Sequence, residues 1–173
     1  MAANAVPKPE EPLNELLARQ DGCGEASRSV AFLRGYSPSA EDHFYTTNYL
    51  EMENAVNNLG YKPEGDAGRV FSTQVPATIP LYHLWSAGLQ DNFYTTSKSE
   101  AQNSVGSYTG GTDTIAAFVY ADQVCGSIPF YRMWSPTATD HFYTTSKSER
   151  DNAINNLGYV DEGIQCYVLP TDD

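Results

Sequence analysis

The sequence predicts a mainly β fold with short helices, three ββαβ repeats in a closed pseudo-threefold arrangement, like a three-bladed propeller or a trefoil-like ring. Three observations lead there. Asp42, Asp91 and Asp140 lie 49 residues apart, and each opens one phrase: Asp42-His43-Phe44-Tyr45-Thr46-Thr47, Asp91-Asn92-Phe93-Tyr94-Thr95-Thr96 and Asp140-His141-Phe142-Tyr143-Thr144-Thr145. Each phrase is rich in the aromatic and β-branched residues that suit strands. Each is followed by a helix start with clear punctuation: Asn48-x-x-Glu51, Ser97-x-x-Glu100 and Ser146-x-x-Glu149. A unit of this size cannot bury its apolar face alone, so the copies must pack on one another. Closing the ring removes exposed sheet edges.

Residues 1–26 stand outside the period and read as a leader or linker, mostly flexible, because Pro7, Pro9 and Pro12 separate charges and few apolar anchors follow. Residues 27–173 form a single domain of three copies, 27–75, 76–124 and 125–173. Each copy opens on a strand: Phe32 to Tyr36, Leu81 to Trp85, Phe130 to Trp134. A turn at Ser37-Pro38, Ser86-Ala87-Gly88 or Ser135-Pro136 leads into the Asp-x-Phe-Tyr-Thr-Thr strand, making a hairpin. Phe and Tyr alternate along that strand, so one set should face inward and the other outward. The helix stripe is Ala55, Val56 and Leu59 in the first copy and Ala153, Ile154 and Leu157 in the third, with Gly60 and Gly158 as stops. The second copy breaks the pattern, since Ser104 to Gly111 cannot hold a long helix. A last strand closes each copy: Ala67 to Ser72, Ile115 to Tyr120, Ile164 to Leu169.

Composition narrows the function. With 22 acidic against 10 basic residues the formal charge is −12, a field that repels phosphate backbones, so nucleic acid is excluded as a partner. No run of 18 apolar residues exists, so no membrane span is expected. Met1 to Gln20 lacks the apolar core of a signal peptide. Either the protein is cytosolic or it is secreted with its signal removed; the expectation taken forward is secretion. Of three cysteines, Cys23-Gly24 and Cys125-Gly126 share a local context ahead of the first strands of their copies, so Cys23–Cys125 is the expected disulfide, with three reduced thiols as the alternative.

The phrase Phe130-Tyr131-Arg132-Met133-Trp134-Ser135-Pro136, then Asp140 to Thr145, Ser148 to Tyr159 and Asp161 to Val168, resembles the family known as domain of unknown function 5648. The likeness spans roughly residues 27–170. It implies a secreted fungal or bacterial module, found alone or appended to extracellular hydrolases and held to bind carbohydrate or cell wall. It brings no catalytic residues. Asn92 departs from the histidine of the pattern, as does the helix of the second copy.

Candidate ligand-binding positions recur with the period. Asp42, Asp91 and Asp140, beside His43, Asn92 and His141, suit the gripping of sugar hydroxyls by paired hydrogen bonds; the competing role is to satisfy backbone donors in the hairpin loop. Tyr36, Trp85 and Trp134 suit stacking on a pyranose face, or core filling. Arg34, His83 and Arg132 suit an ion pair with a nearby carboxylate, or the carboxylate of a sialic or uronic acid. One His and one Asp per copy are too few for a metal site, and no cofactor is expected. No nucleophile elbow, phosphate loop or zincin helix is present, and similar groups repeated three times do not make a differently tuned acid–base pair. The expected function is a non-catalytic, lectin-like carbohydrate-binding module with up to three equivalent shallow sites, engaging glycans or cell wall. The alternative is a secreted protein-interaction module (effector, inhibitor or immunomodulatory protein) presenting the loop from Gly106 to Asp113.

Overall fold

A computed structural model describes residues 22–171. A 3-10 turn (Ala26–Arg28) leads into β1 (Val30–Ser37), β2 (Asp42–Thr46), α1 (Tyr49–Asn58), β3 (Lys62–Val70), β4 (Thr78–Ser86), β5 (Asp91–Thr95), α2 (Lys98–Asn103), β6 (Thr109–Tyr120), β7 (Ile128–Ser135), β8 (Asp140–Thr144), α3 (Lys147–Asn156) and β9 (Val160–Val168). The expected leader lies outside the described residues as far as residue 21. Its end does not: Cys23 is bonded to Cys125, across 102 residues of sequence.

The hairpins form as their turn chemistry demands. Tyr36 pairs with His43, Trp85 with Asn92 and Trp134 with His141, one position before the closing Ser–Asp pair. In each turn the serine Oγ accepts a backbone N–H three residues on, from Ala40, Leu89 and Ala138. The residue before each aspartate is left-handed: Glu41 at φ 54, Gln90 at 55 and Thr139 at 58.

The strands fall into a three-stranded sheet, β2-β1-β3, and a six-stranded sheet, β5-β4-β6-β9-β7-β8. Their inner ends join through Phe71↔Phe118, Tyr120↔Tyr167 and Arg69↔Leu169, so the whole is a nearly closed, barrel-like sheet. The last strand of each hairpin group is longer than the sequence suggests. β3 and β9 begin among polar residues at Lys62 and Val160, and pass Gly65 (φ 82) and Gly163 (φ 83) with shifted register. A bulge there breaks the alternation that reveals a strand, and only glycine takes the bulged conformation cheaply. β6 likewise starts at Thr109, so most of the expected presenting loop is strand.

The helices start where expected. Asn48 Oδ1 accepts from Leu50 N, Ser97 Oγ from Glu100 N and Ser146 Oγ from Glu149 N. The second half of the capping box is rebuilt. The N–H groups of Asn48, Ser97 and Ser146 go to Thr46, Thr95 and Thr144 Oγ1, and each threonine hydroxyl donates onward to Glu51, Glu100 or Glu149. α2 stops at Asn103, as the glycines downstream require. Leu59 and Leu157 are exposed, because they are C-cap residues beyond the last helical turn, while Ala55 and Ala153 are buried. Under α1, Gly35 leaves room for the Met52 side chain, where a Cβ would stand 2.9 Å from its sulfur. The helix residue facing Leu84 is instead Ala101, a strand-to-helix exchange of volume that keeps the layer filled.

Both aromatic sets of the Asp-x-Phe-Tyr strands lie against apolar neighbours. Tyr45, Tyr94 and Tyr143 form the centre of the main core with Phe32, Leu81 and Phe130, while Phe93 and Phe142 pack beneath α2 and α3. The three tyrosines are bonded head to backbone. Tyr94 Oη accepts from Tyr45 N and donates to Tyr45 O, Tyr143 does the same for Tyr94, and Tyr45 for Tyr143, at 2.6 to 2.9 Å. These bonds close a cycle. Burial pushes all three phenols well above their ordinary pKa, so they stay protonated and able to donate.

Two stability changes follow from this architecture. Tyr94→Phe leaves the Tyr45 amide and carbonyl without that partner in the core and should cost about 2–4 kcal/mol in chemical denaturation, at unchanged near-neutral secondary structure by circular dichroism. Cys125→Ser removes a long cross-link and should cost about 4–5 kcal/mol in the same assay, a loss the wild type should reproduce on reduction.

Candidate functional site

Hydrogen bonds between the three hairpins place the aspartates first. All three are fully buried, with carboxylate oxygens within 4.8 Å of one another. Each serves the next hairpin. Asp140 accepts from His43 N (2.8 Å) and Nδ1 (2.6 Å), Asp91 from His141 N (2.8 Å) and Nδ1 (2.6 Å), and Asp42 from Asn92 N (2.9 Å) and Nδ2 (2.7 Å). The hydroxyls of Tyr61, Tyr108 and Tyr159 add a third donor to Asp42, Asp91 and Asp140. The carboxylates expected to hold sugar hydroxyls are thus occupied inside the protein, doing the donor-satisfying work that competed with that role. Donors converge on every one of these oxygens, so a metal ion would have to displace them.

The three junctions differ in charge. Two aspartates face an imidazole, whereas Asp42 faces the neutral Asn92. Burial drives the Asp42 carboxyl up to about 7; bonds from Tyr61 and Asn92 lower it, and the charge of Asp140 raises it further. At the same junction His83 replaces an arginine and bonds Asn92 Oδ1 through Nε2 at 2.8 Å. Burial lowers the His83 pKa, so the ring is neutral at physiological pH despite the Asn92 bond and nearby carboxylates.

At the charged junctions the side chains form columns. Tyr36, His43 and Phe142 follow one another at centroid spacings of 4.7 and 4.4 Å, and Trp134, His141 and Phe93 at 4.5 and 4.6 Å. Arg34 and Arg132 lie over the Phe rings at 5.3 Å. Each guanidinium grips a helix glutamate from another hairpin group with two bonds: Arg34 on Glu149 and Arg132 on Glu100, at 2.8 and 3.1 Å. Each also meets a second acid through Nε, Glu64 at 2.8 Å or Glu162 at 3.0 Å, as an ion pair without hydrogen-bond geometry. Burial works against these charges, but the paired carboxylates outweigh it and hold both arginines more firmly protonated than usual. Glu149 and Glu100, although burial raises them, are kept below the ordinary carboxyl range by the arginine and threonine bonds. Arg34 and Arg132 are therefore committed within the protein, and a ligand carboxylate would compete with two glutamates for each.

A cavity open to a ligand lies beside the Tyr36 column. Its volume is about 460 Å³, and it sits between Tyr36, Glu41, His43 and Glu64 on one side and Phe142, Glu149, Asn152 and Tyr159 on the other. Of the expected positions it gathers Tyr36 and His43, with Arg34 and Asp140 behind them. Tyr36, Trp85 and Trp134 are each partly buried: neither sealed in the core nor fully exposed. Trp85 has its position at the neutral junction, paired with Asn92, and Trp134 at the second charged one.

Several residues of this arrangement were not singled out from sequence. Tyr61 and Tyr159 directly follow the helix-stop glycines, a periodic signal available in the sequence. Tyr108 falls two residues out of period because α2 is short, so only folding aligns it. Glu100 and Glu149 looked like capping residues alone.

The protein is a mainly β, disulfide-linked domain whose hairpins are cross-bonded by buried Asp, His and Tyr. The chain belongs to the family Domain of unknown function (DUF5648), whose model matches residues 31–169. No curated protein and no solved structure matches the chain. Among the described residues, no helix is long and apolar enough to cross a membrane.

The neutral junction has a pH signature. The folded-state pKa of Asp42, about 7, lies above its unfolded value, so the native state holds a proton the unfolded chain releases. Stability should therefore fall as pH rises from about 4 to about 7 through this group and level off above. Asp42→Asn should flatten that limb in a pH series of urea denaturations. The double substitution His83→Arg with Asn92→His, which copies the charged junctions and sets Arg opposite Glu51, should flatten it too by stabilising the Asp42 anion.

Proposed function

We propose that the protein is a secreted, non-catalytic carbohydrate-binding module built as three ββαβ units about a pseudo-threefold axis, with its ligand sites at the junctions between units. The symmetry reading is supported by the tyrosine cycle, by the aspartate bonds that run hairpin to hairpin in the same sense, and by the three strand-end bridges. Secretion is supported by the Cys23–Cys125 disulfide, since oxidising compartments are where such bonds persist.

One observation carries the ligand class. The cavity beside Tyr36 joins a partly buried aromatic wall to carboxylates at its rim. Aromatic faces take the apolar side of a sugar ring, and fixed polar groups around them orient its hydroxyls. The volume is in the range of small-ligand sites and suits one or two sugar rings. The corresponding positions at the other junctions are Trp85 and Trp134, and several weak sites on one rigid body gain strength on a multivalent surface through effective concentration. The buried aspartates hold the wall in place and do not touch the ligand. Glu64 and Glu149 are both paired with Arg34, a shared tie that does not suit the separate acid and base that glycoside cleavage needs.

A glycan array followed by titration calorimetry tests this. Saturable binding of at least one defined oligosaccharide is expected, weakened about tenfold or more by Trp134→Ala or Tyr36→Ala, with the thermal transition retained to show that the fold survives. Silence across a broad array, together with stoichiometric capture of a protein ligand, would replace this reading with the protein-interaction alternative.

A further inference from the structure

The charge of the Tyr36 cavity narrows its ligand, a step that rests on the carbohydrate-binding reading. Three acids line it, Glu41, Glu64 and Glu149, and no lysine or arginine does. The nearby basic groups are already engaged. Arg34 lies behind the wall and is shared by Glu64 and Glu149, and His43 Nδ1 is bonded to Asp140. Counting Arg34 against its two glutamates leaves one negative charge, and Glu41 adds another at the exposed lip, on the turn that closes Tyr36 against His43. Glu41 also acts electrostatically on the Tyr36 phenol, raising its pKa after the larger effect of burial, which places its charge beside the aromatic wall.

This lip is particular to one junction. The left-handed position before the aspartate is Gln90 in the second hairpin and Thr139 in the third. Those residues share the Glu41 backbone conformation and lack its charge.

We propose that the Tyr36 cavity selects an amine-bearing sugar, a glucosaminide whose free ammonium meets Glu41 while its ring lies on the aromatic wall. Uronic and sialic acids are disfavoured by the same field. An N-acetylated sugar keeps the ring and the hydroxyls, loses the charge and gains an acetyl group, so the ammonium contact is isolated by comparing the two sugars on the wild type and on Glu41→Gln.

The experiment compares the β-1,4-linked tetramers of glucosamine and N-acetylglucosamine by calorimetry on the full chain, at low and high salt. The glucosamine tetramer should bind about threefold to tenfold more tightly at the Tyr36 site, the one junction that carries Glu41, with the difference shrinking as salt rises. Glu41→Gln, a side chain the same turn already carries at residue 90, should close the gap between the two oligomers. Asp122→Asn, an exposed acid outside the cavity, should leave the gap open. Equal affinity for the two tetramers would overturn the amine assignment and leave the carbohydrate reading standing. A gap that Asp122→Asn closes as well as Glu41→Gln would assign the preference to the overall charge of −12 and also overturn it. If neither tetramer nor any neutral oligosaccharide bound, both readings would fall.

Discussion

The structure depends on the need of buried hydroxyls and carboxylates to be hydrogen-bonded. Tyr45, Tyr94 and Tyr143 meet at the centre, where a phenol without a partner would forfeit much of what its ring gains by burial. Each solves the problem on the backbone of a neighbouring hairpin rather than on its own. No single hairpin can satisfy its tyrosine, so the hairpins must assemble together. The aspartates extend this logic outward, since each fills the donor needs of another hairpin through a backbone amide and a side chain. Polar groups in the interior thereby specify one arrangement of strands that apolar packing alone would leave loosely defined.

From this buried frame the surface follows. The aspartate fixes the histidine, the histidine supports Tyr36 or Trp134 on one face and a phenylalanine of another hairpin on the other, and an arginine closes the column by gripping a helix glutamate. An aromatic wall held by such a column has little freedom left to lose, which would favour the binding proposed for it. The third junction is built differently: with Asn92 and His83 in place of His and Arg, it holds together through neutral bonds, and its Asp42 titrates near neutrality. The three junctions consequently offer different charge to a ligand.

Much of the fold is written in the 49-residue period, because period, capping residues and stop glycines are local signals that need no knowledge of neighbours. The disulfide was also readable, from the matching Cys-Gly context of Cys23 and Cys125. The early parts of β3, β6 and β9 were not, since bulge glycines and exposed polar residues erase the strand pattern there. Of the candidate site, the periodic columns Tyr36/Trp85/Trp134 and His43/Asn92/His141 stood out early. Glu41 did not, because its distinction is that the period changes there, to Gln90 and Thr139.

The sequence by itself determined which residues recur, and so which side chains would share a role: aspartate beside imidazole or amide, aromatic two positions from arginine or histidine, glutamate three positions into a helix. Only the tertiary structure decided who meets whom. Asp140 belongs to His43, and Glu149 to Arg34, across about a hundred residues of chain. Identical local phrases carry no label saying which copy answers which, and burial, a property of the assembled molecule, chose the aspartates for the interior and left the rim of the cavity to the glutamates.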